Sequence, residues 1–181
     1  MEAWGLTTGP GLERIAFGGA DPGWRPRKPY LSYLRVPLES KTTFLGLPDV
    51  HSEKFAQSVD QAAATQCAPR KNDPYMVGYF VGNEPPWPGR EPELVDMILA
   101  GPATDTQREL KAFLAKGDTA ERRRAFVHGA FEKYLQIVGG ALRKYDPNHL
   151  NLGMRFGGQP PDYVIPMGRF FDVISFNPYE Y

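Results

Sequence analysis

The chain has 181 residues, with 21 Lys plus Arg against 21 Asp plus Glu and therefore no formal net charge. That balance excludes the broad basic field needed to hold nucleic acid or an anionic bilayer. A single cysteine, Cys67, excludes an internal disulfide, and the three histidines, His51, His128 and His149, lie far apart, with no His-Glu-x-x-His or glycine-rich phosphate-loop pattern. No metal or nucleotide cofactor is expected. No apolar stretch of 18 residues and no basic, apolar leader is visible, so neither a membrane span nor a signal peptide is expected.

In chain order, residues 9–28 are rich in Gly, Pro and charge and read as a long surface loop between two strands, with Trp24 as either a stacking platform or a loop anchor. Ser52 is placed to cap a helix in which Phe55, Val59, Ala62 and Ala63 fall on one apolar stripe. Cys67 is expected as a small buried residue of that helix. Residues 75–81 are nearly all apolar or Gly, which suits a strand covered on both faces. The run stops at Asn83 and Glu84. Pro85 lacks a ladder donor and disfavours helix at the residue before it, so Glu84 is held at a strand end.

Trp87 follows, and then a Pro-bounded region at about 88–118 with two short amphipathic segments, 92–100 and 104–116. A longer helix over 119–144 carries Val127, Ala130, Phe131, Tyr134, Val138, Ala141 and Leu142 at helical spacing. Gly139 and Gly140 fall inside it, where they permit close approach to a sheet at some loss of helix stability. Arg122, Arg123 and Arg124 near its start read as a solvated face. Asp146-Pro147 ends the helix and turns the chain into a strand over 150–156 that carries Arg155 beyond its apolar part.

Three stretches together resemble a family. Residues 73–87, with Asn83-Glu84, look like the acid/base strand of clan A glycoside hydrolases, most closely the β-agarase-like and β-galactosidase-like members. Residues 146–156 resemble their fifth strand and 171–179 their sixth. Towards the front, residues 4–9 are similar to the second strand and 30–37 to the third. The resemblance implies an α/β fold, a partial (β/α)8 TIM barrel of approximately strands two to six with outer helices. It implies a single catalytic domain over 1–181 with a helical insertion at about 88–118. A complete barrel of this kind typically needs about 250 residues, so the chain is expected to be a fragment lacking the last strands. The parent enzyme is expected to be secreted or periplasmic.

The implied activity is retaining hydrolysis of a β-linked galactan-like polysaccharide. Its oxocarbenium-like transition state needs a proton donor at the leaving oxygen and a second carboxylate on the opposite face. Glu84 is the implied acid/base, a role that needs a carboxyl pKa raised by partial burial or a negative partner. Asn83 either binds a sugar hydroxyl or caps a turn; Trp87 either stacks on a pyranose or is buried beneath the following segment. Arg155, Asn177 and Tyr179 stand at strand ends and are candidate substrate ligands on one shared rim. The family's nucleophile belongs on a seventh strand, so the isolated chain is expected to be nearly inactive. Glu180 substitutes only if it lies about 5 to 5.5 Å from Glu84, or about 6.5 to 9.5 Å for an inverting reaction. The alternatives are a non-catalytic carbohydrate-binding remnant or a truncated gene product. The expected partners are a carbohydrate substrate and, through exposed barrel edges, further copies of the chain. Asp49 either binds substrate or stabilises its own loop, and His149 is expected to cap a turn or meet a backbone carbonyl.

Overall fold

The computed structural model describes residues 29–178; the expectations for residues 4–28, Trp24, Tyr179 and Glu180 lie outside them. The fold is α/β. In order, the elements are β1 (Tyr30–Tyr33), α1 (Glu53–Gln66), β2 (Met76–Phe80), β3 (Gly82–Asn83), α2 (Glu91–Ala100), α3 (Asp105–Leu114), α4 (Ala120–Tyr145), β4 (Leu150–Asn151), β5 (Met154–Gly157) and β6 (Ser175–Asn177), with a 3-10 helix at Asp162–Phe170 before β6. The strands form two small parallel sheets, β1-β2-β4 and β3-β5-β6.

Each of the strands expected over 75–81 and 150–156 is split in two, yet the ladder steps across both breaks. The Leu152 amide donates to the Tyr79 carbonyl at 2.8 Å and the Val81 amide to the Gly153 carbonyl at 3.0 Å. Gly153 takes φ +67, a left-handed conformation that glycine adopts without penalty. Gly82 serves a different purpose: a Cβ there would sit 2.3 Å from Met154 Sδ, so the thioether occupies the space beside the bare backbone. The expectation of cover on both faces is corrected at the start of the strand. Tyr79 and Val81 are buried, but Val77 and Tyr75 are exposed, as is Leu150 on the neighbouring strand.

The apolar stripe of α1 is buried as its spacing dictates, at Phe55, Val59, Ala62 and Ala63. Ser52 occupies the cap position with extended backbone, although its hydroxyl makes no capping bond. In α4, by contrast, the Thr119 hydroxyl accepts from the Arg122 amide, and Arg143 and Lys144 complement the carboxyl end of the helix dipole. Gly139 lies against the sheet side, where a Cβ would come 3.2 Å from Asn151 Nδ2 and from the Phe170 carbonyl; Gly140 faces open space. Lys144 and the Tyr145 hydroxyl both reach Asp60 of α1, tying the two helices together beyond their apolar contact.

Helices α2 and α3 fall in the Pro-bounded region and fix each other. The Thr104 hydroxyl caps α3 by accepting from the Gln107 amide, and Gln107 Nε2 donates back to the carbonyls of Ile98, Leu99 and Gly101 at the end of α2. Asp49 accepts from the amides of Asp105 and Thr106, so its carboxylate stabilises the start of α3. The solvated-face reading of the arginines is corrected at two of them. Arg123 pairs with Asp96 and Asp118, and Arg122 donates to the Phe113 and Gly117 carbonyls while lying 4.3 Å over the Phe113 ring.

At the amino-terminal ends of β2 and β4 a buried polar network replaces apolar packing. Asp146, fully buried, accepts from the Tyr79 hydroxyl at 2.9 Å and from the Asn148 amide at 3.2 Å. His149 Nδ1 lies 2.8 Å from the same carboxylate, and its Nε2 lies 3.0 Å from the Asp73 carbonyl. Burial pushes the neighbouring Cys67 thiol up to about 12, so it stays a protonated, inert packing group.

Candidate active site

Glu84 follows β3 with φ +41, one of two non-glycine residues with positive φ among the described residues. For an L-residue this conformation costs on the order of 1–3 kcal/mol and persists only where its surroundings enforce it. Here Pro85 blocks continuation of the strand, and the Glu84 amide is held by the Arg155 carbonyl at 2.6 Å. The side chain lies across β5, resting on Gly157. A Cβ at position 157 would be 3.2 Å from Glu84 Cγ and 3.4 Å from Cδ.

Four strand ends converge on it. Register pairs Asn83 with Arg155, Arg155 with Ser175 and Gly157 with Asn177, so β3, β5 and β6 deliver their terminal residues side by side. Asn177 Nδ2 donates to Glu84 Oε1, and Arg155 Nη1 stands 3.5 Å from the same oxygen. Arg155 Nη1 also donates to Asn83 Oδ1 at 2.8 Å, and the Tyr33 hydroxyl, from the end of β1, donates to that oxygen at 3.1 Å. The Glu84 and Arg155 side chains are 34% and 29% exposed, so this ion pair is accessible to a ligand and screened by water. The Tyr33 phenol is raised above its ordinary pKa, chiefly by burial; the charge and hydrogen bond of Arg155 oppose this, and the Glu84 charge adds to it.

Of the residues expected from the sequence, Glu84, Asn83, Arg155 and Asn177 are brought together. Trp87 is not. It is 1% exposed, with its ring 4.9 Å from that of Phe131 on α4 and 6.4 Å from that of Tyr163. The expectation that it offers an open face to a sugar is corrected to burial beneath the segments that follow, because α4 and the Asp162–Phe170 helix close over the indole. Tyr179 lies outside the described residues. Two members of the cluster were missed. Tyr33 was detectable by the same rule that selected Arg155, a polar residue closing a strand. Gly157 carries no local signal, since its role is to leave room for a side chain 73 positions earlier. Clefts of about 250, 640 and 310 Å³ beside the start of α3, between α3 and α4, and beside Gly139 are lined by other residues; what marks the candidate site is the convergence of polar groups on a strand rim.

No family model and no curated protein matches the chain. Solved structures do. PfGH50B is similar with a TM-score of 0.71 and 23% identity, over 84% of this chain and 29% of that one. An agarase, AgWH50C, gives 0.68 and 25% identity over 85% and 27%, and an exo-beta-agarase gives 0.68 and 21% over 85% and 27%. The chain thus spans less than a third of the length of the structures it matches, and over that stretch it resembles agarases in fold.

Proposed function

We propose that the chain is the acid/base portion of a retaining glycoside hydrolase acting on a β-linked galactan-like polysaccharide. On this reading the two parallel sheets are approximately strands two to six of a (β/α)8 barrel, residues 1–181 are one partial catalytic domain, and α2 and α3 are an insertion at about 88–118. The observation that carries it is Glu84, held in a left-handed backbone conformation at a strand end and met by Asn177, Arg155 and Asn83 from adjacent strand ends. Likeness in fold to agarases supports the substrate class by analogy.

The Glu84 carboxyl gives its proton to the glycosidic oxygen as the bond to the anomeric carbon breaks, so the departing sugar leaves as a neutral alcohol. Asn177 and Arg155 then stabilise the carboxylate that remains, and that carboxylate takes a proton back from the water that completes hydrolysis. Asn83, Arg155, Asn177 and Tyr179 are the proposed sugar ligands. The nucleophilic carboxylate comes from a strand outside these, so the chain alone binds without efficient turnover. At β6, Val173, Ile174 and Phe176 are exposed, and copies of the chain are proposed to associate there.

The test is titration with agaro-oligosaccharides alongside assays on agarose and aryl-galactosides, for the chain and for Glu84→Gln. Saturable binding is expected in both, with turnover negligible in the chain and absent from the variant. Hydrolysis that survives Glu84→Gln removes Glu84 from the mechanism. Absence of binding in both removes the saccharide reading.

A further inference from the structure

Tyr33 closes β1, paired in register with Phe80, and its ring lies 5.4 Å from the Phe80 ring at a tilt of 38°. Its hydroxyl donates to Asn83 Oδ1 at 3.1 Å, and Arg155 Nη1 donates to the same atom at 2.8 Å. A guanidinium has donors and no acceptor, so chemistry alone requires the oxygen of the Asn83 amide, and not its nitrogen, to face Arg155. One donor would leave the amide free to pivot about that single contact. The second, from a different strand, fixes the rotation. Because burial outweighs the opposing influence of Arg155 on the Tyr33 phenol, the hydroxyl keeps its proton across the neutral range and stays a donor.

We infer that Tyr33 is a positioning residue of the site: with Arg155 it holds Asn83 by its oxygen, so that the Asn83 amide presents its NH2 group, a donor, to a ligand oxygen. Asn83 is exposed on the rim, so the group is accessible there. The ligand atom this arrangement selects is an acceptor, a hydroxyl or ether oxygen. Its identity as a saccharide oxygen rests on the reading proposed above. Tyr33 touches no ligand itself; it acts through Asn83, and its hydroxyl also meets the Arg155 guanidinium that holds the same amide.

Two measurements on the full chain test this separately. The first is the side-chain amide NMR signals of Asn83 without ligand, assigned by their disappearance in Asn83→Ala. Tyr33→Phe, which keeps the ring on Phe80 and deletes only the hydroxyl, is expected to shift them. The second is a double-mutant cycle on agaro-oligosaccharide affinity. Tyr33→Phe is expected to weaken binding about 3–10-fold in the otherwise unchanged chain, the loss of one hydrogen bond, and to lose most of that effect in the Asn83→Ala background. Equal losses in both backgrounds, or amide signals that do not move, overturn the positioning role. If the signals move but the unsubstituted chain binds no oligosaccharide, the positioning stands and the saccharide reading fails.

Discussion

Gly157 shows how a single missing atom group shapes the candidate site. Its backbone does not call for glycine, since its φ lies outside the left-handed region. What it supplies is room. A methyl group there would press on Cγ and Cδ of Glu84, and the side chain would have to give by a few tenths of an ångström, disturbing the contacts of its carboxyl with Asn177 and Arg155. We expect Gly157→Ala to leave the urea midpoint nearly unchanged, within about 0.5 kcal/mol, as for most surface substitutions. The same variant should weaken oligosaccharide binding measurably by calorimetry. A change in stability without a change in binding would mean that Glu84 does not depend on this seat. The left-handed conformation of Glu84 is legible only in three dimensions, because the neighbouring strand enforces it.

At the level of elements, α2 and α3 are ten residues each, too short to persist alone in water. Their apolar faces, at Leu94, Val95, Ile98 and Leu110, were readable from spacing. The device that holds them was not. Gln107, sited in α3, supplies the amide that satisfies the carbonyls left unpaired at the end of α2. Gln107→Ala leaves those carbonyls without a donor in a buried setting, and a loss of about 2 kcal/mol is expected in urea unfolding. A loss below about 0.5 kcal/mol would show that water replaces the side chain. The long α4 needs no such device: its apolar stripe, Thr119 cap and basic carboxyl end agree with one another, and its limits follow the sequence closely.

For the whole molecule, pH acts through two histidines. Burial is the leading cause that lowers both His51 and His128 below the ordinary value of 6.5; at His51 the Lys133 charge adds to it, while at His128 the Glu91 charge opposes it. The folded state therefore holds them neutral while the unfolded state takes up protons first. Their contribution to stability is complete above about 6.5 and is lost as pH falls below it. We expect the thermal midpoint to drop between pH 7.5 and 5.5, and His128→Phe, which can keep the stacking on Tyr163 at 3.7 Å, to flatten that slope. An unchanged slope would place the effect elsewhere. Self-association is expected in sedimentation velocity at rising concentration and should diminish in Phe176→Ser, because Phe176 is 50% exposed on β6 beside the buried Phe156. A concentration-independent monomer would dispose of that surface as an interface.

The sequence by itself determined whatever depends on neighbours close along the chain: the stripe of α1, the limits of α4 and the halt at Glu84 imposed by Pro85. Tertiary structure decided everything that depends on which distant segments meet. It turned Trp87 inward by closing α4 and the Asp162–Phe170 helix over it. It split two apolar runs, at Val81 and at Leu152-Gly153, and seated the Met154 thioether over Gly82. It also brought Tyr33, Arg155 and Asn177 to Asn83 and Glu84 across separations of 50, 72 and 93 residues. The reason is physical: periodicity and capping are short-range preferences encoded within a few residues, whereas burial and hydrogen-bond partnership are fixed only once parallel strands align in register.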